Sequence, residues 1–248
     1  MTTSGSAATL RSGAARDRLA LALDVQDRAA ALALVERFAA DFGVMKVGLE
    51  LFVAEGPSLV RDIVATGCRV FLDLKLHDIP NTVERAARSA GALGVWLLTL
   101  HTQGGPDVLA AGARGLAEGA EMSSGSSMPS VAPVALGVTV LTSDAEATPE
   151  VLTQLAALAH DSGCGGLVCA ASDLPTVSAA APGLLRVVPG IRPTGVSAAD
   201  QRRVATPSAA LAAGADLLVI GRAITAAPDP QAAAAAIVAE VAAELARA

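Results

Sequence analysis

Eight short apolar runs, many of them rich in β-branched residues, recur along this 248-residue chain, with alanine-rich stretches between them. The runs are predicted strands near residues 19–24, 43–48, 69–75, 95–101, 134–141, 165–170, 186–190 and 216–220. The stretches between them carry helical periodicity, clearest at 28–40, 81–92, 148–162 and 230–247. Strands that alternate with helices pair in parallel through right-handed crossovers. Eight such units predict an α/β fold, a single (β/α)8 TIM barrel with its active site at the C-terminal ends of the strands. A doubly wound open sheet is the alternative.

The composition bounds the classes of function. The core must be aliphatic, because 52% of the chain is hydrophobic and only 2% is aromatic. The formal net charge of -6 leaves no basic face for nucleic acid. No stretch approaches the roughly 20 apolar residues that a membrane span needs. We therefore expect a cytoplasmic protein with neither a nucleic-acid nor a membrane partner.

The expected domain organisation is simple. Residues 1–16 are small and polar and lack the apolar segment of a signal peptide, so they are predicted to be a disordered tail. Residues 17–248 are predicted to form the catalytic barrel, with a low-complexity loop at 122–130. The cysteines show neither a disulfide framework nor a metal spacing. Cys68 and Cys169 are expected to be buried thiols, and Cys164, in a turn, to be more exposed.

Only two lysines occur, Lys46 and Lys75, against sixteen arginines, and both lie near the end of a predicted strand. In the third strand, the alternation of side chains puts Asp73 and Lys75 on the face opposite the leucines. Charged groups on an inward face are costly unless they pair or react. A lysine beside Asp73 and Asp78 keeps its proton, which makes it a poor base but a well-placed acid. The pattern indicates either a structural ion pair or a proton donor to a carbanion.

The segment 73–82, Asp-Leu-Lys-Leu-His-Asp-Ile-Pro-Asn-Thr, resembles the signature of the orotidine 5′-phosphate decarboxylase family. Matching segments follow in the family's order, and they are Leu-Ala-Leu-Asp at 21–24, Lys-Val-Gly at 46–48, Leu-Thr-Ser at 141–143, Pro-Gly-Ile-Arg-Pro at 189–193 and Val-Ile-Gly-Arg at 219–222. The resemblance covers roughly residues 18–230. It implies decarboxylation of orotidine 5′-phosphate (OMP) to UMP and CO2, the last step of de novo pyrimidine biosynthesis, with no cofactor and no metal.

The resemblance also implies roles for the matching residues around the reacting carbon. Asp24 and Lys46 would hydrogen-bond the ribose hydroxyls, and Lys46 counts among the catalytic residues as well. Asp73 would face the scissile carboxylate. Lys75 would deliver the proton to C6 of the pyrimidine as CO2 leaves.

In this family the site is completed across a dimer interface. The resemblance therefore implies a homodimer in which Asp78, Ile79 and Thr82 of each subunit serve the site of the other, with Asp78 as a catalytic residue. Thr142 would hydrogen-bond the pyrimidine.

The phosphate would be bound near the last two strands. The resemblance assigns this role to Pro189, Arg192, Gln201, Gly221 and Arg222, with the glutamine on a loop that closes over the phosphate. The residues themselves agree, because the Pro- and Gly-rich segment 189–200 predicts a mobile loop. A glycine lets the backbone approach an anion, an arginine offers a planar fork of donors, and barrels often bind phosphate after strands seven and eight.

Two other functions stay open. Metal-dependent barrels such as ketogulonate-phosphate decarboxylase and hexulose-phosphate synthase share the Asp-x-Lys-x-x-Asp core, but they carry a glutamate metal ligand where this chain has Lys46. A catalytically silent nucleotide-phosphate binder would have no reason to keep Lys75 between two aspartates. The histidines show no ligand spacing, and the dinucleotide glycine fingerprint is absent. The chain departs from the family at Thr102 and Gln103, where small residues are usual.

Overall fold

Eight parallel strands close into a barrel in the computed structural model, which describes residue 10 and residues 13–122, 132–141, 147–193 and 203–247. Each strand pairs with the next one in the chain, and the last pairs with the first. The strands are β1 (Leu19–Ala22), β2 (Val44–Gly48), β3 (Arg69–Leu76), β4 (Leu97–His101), β5 (Val134–Val138), β6 (Gly166–Val168), β7 (Leu185–Val188) and β8 (Leu217–Ile220). The closed ring confirms the predicted (β/α)8 barrel and excludes the open sheet.

A helix follows each strand, and a further helix ends the fold. They are α1 (Arg28–Phe38), α2 (Leu49–Ala65), α3 (Pro80–Ala92), α4 (Pro106–Met122), α5 (Pro149–Asp161), α6 (Leu174–Ala180), α7 (Pro207–Ala212), α8 (Arg222–Thr225) and α9 (Pro230–Leu245). Asp27, Thr148, Thr206 and Asp229 cap their helices by accepting hydrogen bonds from backbone N–H groups of the first turn. Within α2, the left-handed backbone of Gly56 (φ 67°) produces a kink.

Two apolar clusters stabilise the barrel. One contains Ala20, Phe71 and Leu97 and fills the inside of the ring. The other contains Leu21 and Leu72 and lies between the strands and the helices. Successive residues of a strand thus alternate between the two clusters. The alternation directs the residues that follow Phe71 at every second position toward the barrel interior.

Some strands are shorter than the predicted runs. β5 ends at Val138 and β6 at Val168, although the apolar runs continue to residues 141 and 170. The residues beyond the strand ends, including Leu141 and Cys169, line a cavity at the barrel mouth instead of extending the ladder. Hydrophobicity alone does not distinguish these two forms of burial.

The three cysteines are buried free thiols. The expectation that Cys164 is more exposed was wrong. Its side chain packs into the cluster between strands and helices, and burial raises the pKa of this thiol to about 12.

Across the described ranges, no helix is both long enough and apolar enough to cross a membrane. The disordered tail at 1–16 stays a prediction, because most of those residues lie outside the described ranges. Of that segment, Leu10 is buried with the cluster inside the ring. The loop at 122–130 lies almost entirely outside the described residues.

Candidate active site

Four charged side chains form a row across the C-terminal ends of β1, β2 and β3. Lys46 Nζ lies 3.2 Å from Asp24 Oδ1 and 4.0 Å from Asp73 Oδ2. Lys75 Nζ donates to both oxygens of Asp73, at 2.8 and 2.9 Å. Because opposite charges alternate along the row, the attraction between neighbours offsets part of the cost of their partial burial. The structure therefore brings together four of the residues that the sequence singled out.

The backbone of β3 is irregular where it carries this row. The pairing of β3 with β4 shifts between Leu72, opposite Leu98, and Leu76, opposite Leu100. Four steps along β3 thus match two steps along β4, so the segment 73–75 bulges. Lys75 has a φ of 49°, and among the described residues it is the one non-glycine with a positive φ. Asp73 and Lys75, on either side of this irregular step, both line the same cavity.

Thr99 of β4 lies opposite the bulge, and sequence reasoning missed it. Its Oγ1 accepts a hydrogen bond from the Lys75 backbone N–H at 2.9 Å and donates one to Asp73 Oδ1 at 2.9 Å. The side chain is fully buried. A threonine between two leucines of β4, two residues after the inward-facing Leu97, is the signal that could have identified it.

A cavity of about 220 Å³ opens beside the row of charges. Apolar side chains from several strands form its inner surface, including Phe71, Val138, Val168 and Val219. Such a surface suits a flat heterocycle, whereas the charged row suits hydroxyl and carboxylate groups.

The side of the cavity formed by β7 and β8 is basic, and Pro189, Arg192, Gly221 and Arg222 all line it. The Arg192 side chain is buried, and its Nε has no hydrogen-bond partner among the residues that the structure describes. A Cβ at Gly221 would lie 3.3 Å from Ala22 Cβ, so this position has little room for a side chain. Two guanidinium groups that line one side of a cavity are suited to an anionic ligand.

A second buried ion pair lies beside the cavity and was not predicted. Arg203 Nη1 donates to both oxygens of Asp173, at 2.9 and 2.7 Å, and Nη2 donates to the backbone carbonyl of Leu141 at 3.0 Å. It thus links the segments that follow β5, β6 and β7. No sequence motif indicated the pair, because its members come from distant parts of the chain.

Cys169 lines the cavity but does not suit nucleophilic chemistry. Burial raises the pKa of its thiol to about 12, with Asp173 adding to the rise. The thiol is therefore neutral near pH 7.

The residues assigned to the partner's site lie at the edge of the barrel mouth. Asp78 and Thr82 border a shallow groove next to Lys75, outside the main cavity. Within the described chain, Asp78 accepts a hydrogen bond from the Ile79 N–H at 2.6 Å and forms no ion pair with Lys75. The Ile79 side chain is exposed. One subunit alone therefore does not bring Asp78 into contact with Lys75.

Thr142 and Gln201 lie outside the described residues.

In the part of the chain that is described, no group of three or more His, Cys, Asp or Glu side chains has the arrangement of a metal site. The rings of His77 and His101 stack on each other with centroids 5.5 Å apart.

Residues 17–237 match the sequence profile of the Orotidine 5'-phosphate decarboxylase / HUMPS family. The chain belongs to this family. The match confirms the family resemblance drawn from the segment 73–82.

Members of the orotidine 5′-phosphate decarboxylase family are similar to this chain over nearly their whole length. The orotidine 5′-phosphate decarboxylase of Anaeromyxobacter sp. (strain K) is 48% identical over 224 residues, which are 90% of this chain and 97% of that protein. The orotidine 5′-phosphate decarboxylase of Moorella thermoacetica is 46% identical over 239 residues, covering 92% of this chain and 93% of that protein. The crystal structure of the Lactobacillus acidophilus orotidine 5′-phosphate decarboxylase has a TM-score of 0.71 and 31% identity, covering 90% of this chain and 98% of that one.

Proposed function

We propose that this protein decarboxylates OMP to UMP and CO2 without a metal or an organic cofactor. The observation that carries the proposal is the Lys75 ammonium, 2.8 and 2.9 Å from the two oxygens of Asp73 beside the cavity. A carbanion at C6 of the pyrimidine needs a nearby acid, and a lysine ammonium can supply the proton. Two relatives, 48% and 46% identical, are named for this activity.

In the proposed reaction, the bond between C6 and the carboxylate carbon breaks and its electron pair stays on C6. Lys75 donates a proton from Nζ to that pair, which forms the C6–H bond of UMP, and CO2 leaves. The neutral amine then regains a proton from water. Asp73 faces the substrate carboxylate and keeps the ammonium in position. Charges that are fixed before the reaction need no reorganisation during it, which lowers the barrier.

The rest of the substrate would be bound along the same cavity. Asp24 and Lys46 would hydrogen-bond the ribose hydroxyls, and Arg192, Gly221 and Arg222 would bind the phosphate. The position of these three residues on one side of the cavity supports this direction of binding. Binding energy gained at the remote phosphate can then serve the transition state at C6.

Three further assignments complete the substrate site. Pro189, which lines the cavity next to Arg192, would contact the substrate beside its phosphate. Thr142 and Gln201 keep their proposed roles toward the pyrimidine and the phosphate.

We also propose a homodimer in which each subunit supplies Asp78, Ile79 and Thr82 to the site of its partner. The position of Asp78 at the edge of the mouth, bordering the groove beside Lys75, supports this arrangement. A carboxylate brought there by a second subunit would stand near the ammonium and would disfavour the negative charge of the substrate carboxylate.

The metal-dependent members of the wider family are the main alternative. At β2 this chain has Lys46, with its ammonium 3.2 Å from Asp24, and a positive charge there repels Mg²⁺. Activity that survives treatment with EDTA would exclude this alternative.

We place the reaction in the cytoplasm, where the other steps of nucleotide synthesis would supply its substrate.

The loss of OMP absorbance, measured for the wild type and for Lys75→Ala, tests the proposal. The variant should retain the barrel but lose kcat by at least about 10²- to 10⁴-fold, the range that a positioned general acid contributes. Arg61→Ala is a matched control, because it removes one positive charge from the exposed surface of α2.

Thermal unfolding of the three proteins shows whether each is folded. Wild-type protein that binds UMP without turning OMP over would favour the silent nucleotide binder. A Lys75→Ala variant with wild-type turnover would remove Lys75 from the mechanism.

A further inference from the structure

The β3 bulge brings a backbone N–H of β3 within reach of a side-chain acceptor on β4. Between the pairs Leu72–Leu98 and Leu76–Leu100, the residues 73–75 of β3 face Thr99 alone on β4. A buried backbone donor without a partner is costly. The Lys75 N–H is satisfied by a side chain, because it donates to the Thr99 hydroxyl at 2.9 Å.

The two hydrogen bonds of the Thr99 hydroxyl fix which partner it accepts from and which it donates to. A hydroxyl has a single proton to donate. Its oxygen accepts from the Lys75 N–H, and its proton goes to Asp73 Oδ1 at 2.9 Å. One buried group therefore fixes the backbone of the lysine and one oxygen of the carboxylate that the lysine contacts.

We propose that Thr99 is a positioning residue for the decarboxylation. It holds the left-handed backbone of Lys75 and the plane of the Asp73 carboxylate, so that the ammonium points at the reacting carbon. This inference rests on the proposed function for its kinetic consequence. Its structural basis, the two hydrogen bonds of Thr99, is independent of that function.

The positioning role predicts a change in kcat more than in KM. The contacts proposed for the ribose and the phosphate lie elsewhere in the cavity, so ground-state binding of the substrate should change little. Loss of a hydrogen bond to a charged group typically corresponds to about a 10- to 100-fold effect. We expect Thr99→Val to lower kcat by about this factor and to change KM by less than about threefold.

Two further variants isolate the hydroxyl from the volume of the side chain. Thr99→Ser keeps the oxygen and should retain kcat within about threefold of wild type, whereas Thr99→Ala, which lacks only that oxygen relative to serine, should behave like the valine variant. If Thr99→Val fails to fold, the comparison of Thr99→Ser with Thr99→Ala still shows whether the hydroxyl is required. Thr102→Val is the matched control, since it removes a buried hydroxyl that, within the described chain, donates to the Val138 carbonyl at 2.7 Å and contacts neither Asp73 nor Lys75. Its kcat should stay near wild type.

Amide hydrogen exchange of Lys75, followed by NMR, tests the positioning without turnover. The Lys75 N–H should exchange at least about tenfold faster in Thr99→Val than in wild type and remain protected in Thr99→Ser. Equal kcat or equal exchange in the serine and alanine variants would overturn the proposal, even if both were less stable. Wild-type protein that fails to turn over OMP would contradict the proposed function. The exchange rates would still show whether Thr99 holds the Lys75 backbone.

Discussion

Lys75 has a backbone conformation that few side chains adopt. A left-handed backbone at a non-glycine residue costs on the order of 1–3 kcal/mol, and Lys75 has a φ of 49°. Glycine would take this conformation without strain, but it could supply no ammonium. The strain is therefore explained by the side chain that the position must carry. The hydrogen bonds to Thr99 and Asp73 offset part of its cost.

The buried thiols predict a decline of stability at alkaline pH. Burial raises the pKa of Cys164 and of Cys169 from 9.0 to about 12. The folded state therefore keeps two protons that the unfolded state releases above pH 9. This contribution is fully present below pH 9 and is lost as the pH rises from 9 toward 12. The free energy of unfolding, measured in urea from pH 8 to 10.5, should fall by up to about 1.4 kcal/mol per pH unit for each thiol.

The double variant Cys164→Ala/Cys169→Ala provides the comparison. It should be less stable at pH 7 because two packed side chains become smaller, but its decline above pH 9 should be shallower. Parallel slopes for the two proteins would show that other groups cause the alkaline decline.

Among the elements, α3 and α4 pack so closely that their backbones touch. A Cβ at Gly115 would lie 2.1 Å from the Glu84 carbonyl oxygen, and one at Gly119 would lie 2.0 Å from that of Arg88. Only glycine fits where two backbones approach this closely. We expect Gly115→Ala to lower the free energy of unfolding by about 1–3 kcal/mol, since the helices must move apart.

Urea unfolding measures this loss, and Gly183→Ala is its control. A Cβ at Gly183 would meet nothing within 4 Å, so this variant should differ little from the wild type. If the two alanine variants proved equally stable, the close contact of α3 and α4 would not contribute to stability.

The elements also show what the sequence could and could not predict. The alternation of apolar runs predicted the strands and the barrel, because strand and helix periods are local properties. It also put Asp73 and Lys75 on an inward face. The bulge and the contact with Thr99 depend on how β3 pairs with β4, and the Arg203–Asp173 pair joins residues thirty apart. Pairing between distant segments leaves no local pattern, so these features emerged only from the structure.

For the whole molecule, a single subunit leaves the site open on one side. The Lys75 side chain is 38% exposed. Leu49 and Ile79, on the segments that follow β2 and β3, are 58% and 65% exposed. Large apolar side chains that stay exposed near a site favour burial by a partner. A second copy that covered them would also bring its Asp78 to the site.

Mixing two inactive variants tests whether the subunits share their sites. If each site takes Lys75 from one subunit and Asp78 from the other, a mixed dimer of Lys75→Ala and Asp78→Ala has one site with both changes and one with neither. Co-expression at equal levels gives about half mixed dimers, so about a quarter of wild-type activity should return.

Co-expression of Lys75→Ala with Lys46→Ala is the control. Both lysines contact Asp73 of their own subunit, so every site keeps a defect and activity should stay low. No recovery in the first mixture would show that Asp78 acts within its own chain, and an Asp78→Ala protein with wild-type activity would remove Asp78 from the mechanism.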